Sequence, residues 1–279
     1  MKSPSENPDL LRRLLCAALV FAVPLARATV YDWAVPGDPA NRALRLNVPD
    51  GLPVVRGLLI WGNGALYDAR SMATDPEAVA FAQSMGFAVL ATSQWTNFLF
   101  GYTPSEYSGF QAGLQQLAAA SGHPEIVSVP WIPLGYSNGG QMSYGLNVLA
   151  PEKVIGMAIE RAALVNNPTP DPAALHTPGL LVAGELDSYF RDGVRSLFVN
   201  NRPRGALWAW TVEQMMPHNG GDSFELIYPF MAEIYAMRYP ANAAPASGAV
   251  GLTPVNEQDG WLSDPDSFAT GLADRKSVV

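Results

Sequence analysis

Ser137 stands in Gly135-Tyr136-Ser137-Asn138-Gly139-Gly140, with the apolar run Val129 to Leu134 leading into it and a helix-compatible segment, Gln141 to Leu149, following without a break. A serine hydroxyl is a weak nucleophile until a base takes its proton and hydrogen-bond donors receive the charge that develops on the attacked carbonyl. Strand, tight turn and helix form the context in which Gly-x-Ser-x-Gly lifts that hydroxyl to the carboxyl edge of a sheet. The expected turn is strained at the serine, and glycines on either side let strand and helix pack closely.

A base and an acid must then be found elsewhere in the chain. Serine sites of this strand-turn-helix kind take their partners in the order serine, acid, histidine. There are three histidines. His123 precedes the serine and His176 precedes the strand that should bear the acid, so His218, in the loop after the last expected strand, is the candidate base. Two carboxylates follow the penultimate strand, Asp187 and Glu185. Asp187 is preferred because it lies farther into the loop, where it can hold one imidazole nitrogen while the other faces Ser137; Glu185 stays open as the alternative. Asp222 reads more simply as the N-cap of the last helix.

The oxyanion donors are sought on Trp61-Gly62-Asn63-Gly64-Ala65, a glycine-rich bend directly after a buried strand, where backbone N–H groups can be presented without side chains in the way. The same glycines lack the third member of a dinucleotide fingerprint, and no phosphate-binding loop pattern occurs elsewhere. Trp61, Trp95 and Tyr136 are candidate substrate-contacting aromatics. The histidines are too few and too scattered for a metal centre, so neither metal nor organic cofactor is expected.

The elements that must position these residues can be read from the pattern. Ala43 to Val48 alternates as a half-buried strand. Val54 to Ile60, Phe87 to Thr92, Lys153 to Ile159, Gly179 to Ala183 and Ala206 to Val212 read as strands buried on both faces. Helices are expected over Asp75 to Met85, Pro104 to Ala120, Tyr189 to Asn200 and Asp222 to Arg238. Strands alternating with helices predict an α/β fold with a mostly parallel central sheet and helices on both faces.

Composition bounds the rest. The chain has 279 residues, 48% hydrophobic and 15% charged, with a formal net charge of −8. That suits one α/β domain with extensions. The acidic balance, with pI near 4.8, argues against nucleic-acid or anionic-membrane partners. Arg12-Arg13 precede the apolar run Leu14 to Leu25, and Ala26-Arg27-Ala28 offers small residues for a signal peptidase. Residues 1–28 are therefore expected to be an export signal, leaving a secreted or periplasmic catalytic domain, 29–240, with no stable membrane anchor. Removal takes Lys2, Arg12, Arg13 and Arg27 against Glu6 and Asp9, so the remainder would carry −10. Cys16 is the only cysteine and falls inside that segment. Residues 241–279 form a C-terminal extension whose Ala, Pro, Ser and Gly content is partly linker-like.

These residues carry a resemblance. Gly135-Tyr136-Ser137-Asn138-Gly139-Gly140, Gly184-Glu185-Leu186-Asp187 and Pro217-His218-Asn219 resemble the α/β-hydrolase superfamily, in particular secreted feruloyl esterases and polyhydroxyalkanoate depolymerases, over roughly Val54 to Tyr239. Trp61-Gly62 stands where many relatives carry His-Gly. The resemblance implies a serine esterase in which Ser137, Asp187 and His218 form the triad and the oxyanion is held by the Asn138 N–H and one from Asn63 or Gly64. It implies an ester substrate, small or polymeric, and no cofactor. An exported peptidase or amidase and a catalytically silent binding module are the rival readings.

Overall fold

The computed structural model describes residues 28–255 apart from 39, 40, 66, 94–101, 163, 164 and 166. Trp95 and most of the expected export signal lie outside the described residues, as does the chain after 255.

One eight-stranded sheet carries the structure, in the order β1-β2-β4-β3-β5-β6-β7-β8. The strands are β1 (Ala28–Ala34), β2 (Ala43–Pro49), β3 (Leu58–Gly62), β4 (Ala88–Ser93), β5 (Trp131–Tyr136), β6 (Met157–Glu160), β7 (Gly179–Gly184) and β8 (Trp208–Glu213). β2 runs antiparallel to both its neighbours, β1 and β4, and every pairing from β4 through β3 to β8 is parallel. The helices are α1 (Pro76–Ser84), α2 (Pro104–Ser121), α3 (Asn138–Leu149), the single turn α4 (Pro172–Leu175), α5 (Ser188–Asn201) and α6 (Phe224–Arg238).

Alternation along the strands sorts side chains to two faces. Leu58 and Ile60 of β3 point to a layer containing Phe110, Leu114 and Leu117 of α2, Met142 and Leu146 of α3, and Val194 and Leu197 of α5. Leu59 and Trp61 point the other way, to Ala78 and Ala82 of α1 and to Ile227, Met231 and Ile234 of α6. Covered on both sides, β3, β4, β6 and β7 are buried at every position. That is why they read as continuous apolar runs, the mark of a parallel sheet between helical layers.

Several expected boundaries shift for identifiable reasons. β3 starts only at Leu58, because the Val55 N–H is taken by Glu125 Oε1 at 2.8 Å and the Arg56 N–H by the Gly86 carbonyl. The strand expected from Lys153 is confined to Met157–Glu160, since Pro151–Lys153 forms a 3-10 turn. β1 was not foreseen from its sequence; it pairs with β2 over seven residues and extends the sheet by an edge strand. The last helix begins at Phe224 and its N-cap is Ser223, so Asp222 does not cap it; the Asp222 N–H instead donates to Glu213 Oε1. The linker-like stretch after Tyr239 is mostly exposed but touches the domain at several points. Val250 and Leu252 lie against the α1/α6 layer, and the Thr253 N–H donates to the Arg238 carbonyl at 2.9 Å while the Thr253 carbonyl accepts from Arg238 Nε at 3.1 Å.

Candidate active site

Ser137 is the single residue between β5 and α3. Its N–H continues the sheet ladder by donating to the Glu160 carbonyl at 2.7 Å, and its own carbonyl accepts the first helical bond, from the Gln141 N–H. The chain can change from strand to helix in one step only by bending there, and Ser137 takes φ 53° and ψ −116°. A side-chain-bearing residue at such dihedrals is strained by about 1–3 kcal/mol and stays there because its surroundings dictate it. Space dictates the neighbours. A Cβ on Gly135 would meet the Gly139 carbonyl group at 2.2 Å, and one on Gly139 would meet the Gly62 carbonyl carbon at 2.1 Å. β3, β5 and the first turn of α3 are thus packed backbone to backbone around the serine.

His218 and Asp187 come to that apex from loops 81 and 50 residues further along the chain. His218 Nε2 lies 3.0 Å from Ser137 Oγ. His218 Nδ1 lies 2.7 Å from Asp187 Oδ2. The parallel order β5-β6-β7-β8 sets the carboxyl ends of these strands on one edge, so the loops after β5, β7 and β8 meet there. The loops after β7 and β8 are also tied to one another, the Leu186 N–H donating to the Met216 carbonyl at 2.9 Å. Asp187 is buried while the His218 side chain keeps a third of its surface exposed. A shielded carboxylate thus holds an imidazole whose other nitrogen faces an accessible hydroxyl.

The alternative acid has another use in the structure. Glu185 is exposed and its Oε2 accepts the Met215 N–H at 2.7 Å. His123 is paired through Nδ1 with Glu125, and His176 is the C-cap of α4; neither is brought to Ser137.

On the oxyanion side, Asn138 opens α3 and its own N–H precedes the helical ladder, so it is directed out of the helix end together with the positive end of the helix dipole. The bend after β3 lies alongside, with Asn63 N only 2.6 Å from where a Cβ on Gly139 would sit. Of the two residues left open on this bend, Gly64 donates its N–H to Asn63 Oδ1 at 2.7 Å.

The aromatic candidates separate in the same way. Trp61 is 3% exposed and packs edge-on to Phe224, because its place in β3 turns it into the α1/α6 layer. It does not line the site. Tyr136 does: its ring centroid is 5.1 Å from that of His218, and its edge lies beside Gly64. Burial raises the Tyr136 hydroxyl above its ordinary pKa, which keeps it neutral. Sequence reasoning missed Phe190, whose ring stacks on His218 at 4.2 Å. Its position three residues after Asp187, on the first turn of α5, was the available signal.

No family model matches the chain, and no curated protein matches it. Among solved structures, a ferulic acid esterase aligns with TM-score 0.56 at 13% identity, over 75% of this chain and 99% of its own. This chain has the α/β-hydrolase fold. Two other neighbours of that fold are an esterase of Pyrococcus furiosus, with TM-score 0.53 at 13% identity over 76% of this chain and 92% of its own, and a poly(3-hydroxybutyrate) depolymerase from Bordetella parapertussis, with TM-score 0.50 at 16% identity over 80% and 94%. Among the described residues, no group of His, Cys, Asp and Glu is placed to hold a metal, and no helix is long and apolar enough to cross a membrane.

Proposed function

We propose that this chain is an exported serine carboxylic-ester hydrolase that works through an acyl-enzyme on Ser137. The observation that carries the reading is the continuous contact from Asp187 Oδ2 through both nitrogens of His218 to Ser137 Oγ, at 2.7 and 3.0 Å, with the serine held at a strained turn. Ser137 Oγ attacks the ester carbonyl as its proton passes to His218 Nε2, and Asp187 fixes the ring and stabilises the imidazolium. The N–H groups of Asn138 and Asn63 receive the charge on the carbonyl oxygen. His218 gives its proton to the departing alkoxide, releasing the alcohol. Water then attacks the acyl-enzyme, losing a proton to the same nitrogen, and the acid leaves as Ser137 Oγ is reprotonated.

Aryl or carbohydrate esters and polyesters are the substrate classes this reading favours. The rim supports it: Tyr67, Leu186, Tyr189 and Met215 are each more than half exposed, with Tyr67, Leu186 and Met215 on the oxyanion, acid and base loops and Tyr189 on the first turn of α5. Apolar side chains kept in water beside an open site suit an acyl or alcohol group with apolar surface. The names of the ferulic acid esterase and the poly(3-hydroxybutyrate) depolymerase point in the same direction. Export rests on Arg12-Arg13, the apolar run after them and Ala26-Arg27-Ala28.

The test is fluorophosphonate labelling together with turnover of short p-nitrophenyl esters, feruloylated sugars and an insoluble polyester. Labelling at Ser137 and ester turnover, both absent in Ser137→Ala, are expected. Labelling with peptide cleavage and no ester turnover would move the assignment to a peptidase, and no labelling at all would leave a binding module.

A further inference from the structure

Behind the nucleophile lies a cluster of charged groups, one of them a fully buried cation, that the proposed chemistry does not use. Arg161 follows β6 directly, is fully buried, and adopts φ 50°. Holding a cation without solvent in a left-handed backbone conformation is costly, so its fixed partners should reveal what it is there for. Its Nη1 donates to the Gly220 carbonyl at 3.1 Å, its Nη2 pairs with Glu213 Oε2, and its Nη1 is 3.6 Å from Glu160 Oε1. Glu213, the last residue of β8, accepts the Asp222 N–H at Oε1 (2.9 Å) and the Ser223 hydroxyl at Oε2 (2.7 Å). Gly221 sits between them at φ 64°, with no room for a Cβ, which would lie 2.4 Å from Glu213 Oε1.

Four consecutive residues, 220–223, are therefore gripped by two side chains. They are the segment that carries the chain from His218 into α6. The other side of the histidine is held by the acid loop, through Glu185 to the Met215 N–H and Leu186 to the Met216 carbonyl. Released at 220–223, the loop would keep its tie at 215–216 and could swing the imidazole about it. An apolar contact would stabilise the loop equally well but would not fix its direction, whereas a guanidinium has a rigid planar fork.

We propose that Arg161 and Glu213 are positioning residues, which together grip 220–223 and thereby hold the His218 imidazole on Ser137 Oγ. This inference rests on the triad reading above.

Steady-state ester hydrolysis by Arg161→Met, Glu213→Gln and the double variant tests it, with thermal melts run in parallel. Sub-ångström misplacement of a reacting group is expected to lower kcat by about 10- to 100-fold in either single variant, with KM within about twofold. The rate of fluorophosphonate labelling should fall in step with kcat. Because both side chains serve one grip, the double variant should lose no more than the worse single one. Unchanged kcat in folded Glu213→Gln, or losses that multiply in the double variant, overturns the proposal. Glu213→Gln alters one atom and carries the test if Arg161→Met does not fold. Turnover surviving in Ser137→Ala would instead sink the triad reading, so the two failures are distinguishable.

Discussion

The Phe190 ring lies over the His218 imidazole, with centroids 4.2 Å apart and planes 25° from parallel. Tyr136 flanks the same imidazole at 5.1 Å and 41°. The His218 imidazole is thus held by rings as well as by Asp187, and a π face beside the ring favours it most when it is protonated. An aromatic contact of this kind contributes about 0.5–1.5 kcal/mol. Phe190→Ala should lower kcat/KM for a p-nitrophenyl ester by about 3- to 10-fold, with Phe190→Leu intermediate. An Ala variant as fast as the parent would show that the stack is incidental.

Asp187 and Glu185 differ by two positions and by everything that matters to the base. Asp187→Asn should reduce kcat by roughly a thousandfold or more, since the amide cannot hold the tautomer that presents a free Nε2 to the serine. Glu185→Gln should stay within about threefold, because an amide oxygen still accepts the Met215 N–H. Kinetics that reversed these two effects would reassign the acid. Ser137→Ala and His218→Ala should each abolish turnover, and the pair together should do no more than either alone.

Strain at Ser137 gives a stability test independent of activity. Ala at this site keeps the unfavourable φ of 53°, while Gly does not feel it. Ser137→Gly should therefore be more stable than Ser137→Ala by about 1 kcal/mol, seen in calorimetry as a melting temperature higher by roughly 2–4 °C. Equal melting points would mean the elbow carries no strain.

Glu160 predicts a pH dependence of stability. It is 1% exposed and neither carboxyl oxygen has a hydrogen-bond partner, the single Ser223 hydroxyl hydrogen going to Glu213. The groups that face it are Arg161, Glu213 and Ser223, with the hydroxyls of Tyr136 and Tyr228 feeling its charge. Burial pushes its pKa up to about 7, outweighing Ser223 and Arg161. The folded chain therefore holds a proton that the unfolded chain has lost above about pH 4.5, and this contribution to stability falls as pH rises from there to about 7. Other carboxylates slope oppositely. Glu213 is one: burial would raise it, but the Asp222, Ser223 and Arg161 donors hold it below its ordinary value. The difference between parent and Glu160→Gln isolates the effect, and in urea titrations the variant should gain on the parent by on the order of 2–3 kcal/mol between pH 5 and 8. A constant difference across that range would falsify the assignment.

Much of this was legible in one dimension because it depends on local order. Continuous apolar runs marked strands covered on both faces, alternation with helices marked a parallel sheet, and the glycines around Ser137 marked a turn too tight for side chains. The chain order serine, acid, histidine expected of a strand-turn-helix serine site also pointed to His218 and favoured Asp187. What the sequence by itself determined, then, was the kind of sheet and the three loops at its carboxyl edge.

Tertiary structure decided which side chains on those loops face each other. Trp61 goes to the core because strand pleat, not residue type, selects its face; Gly64 is engaged by the amide beside it; and Phe190 reaches the imidazole only because α5 starts where it does. The grip of Arg161 and Glu213 joins residues 52 apart that share no pattern. Contacts of this sort come from the distance between strand ends in a twisted sheet, a quantity that no periodicity along the chain encodes.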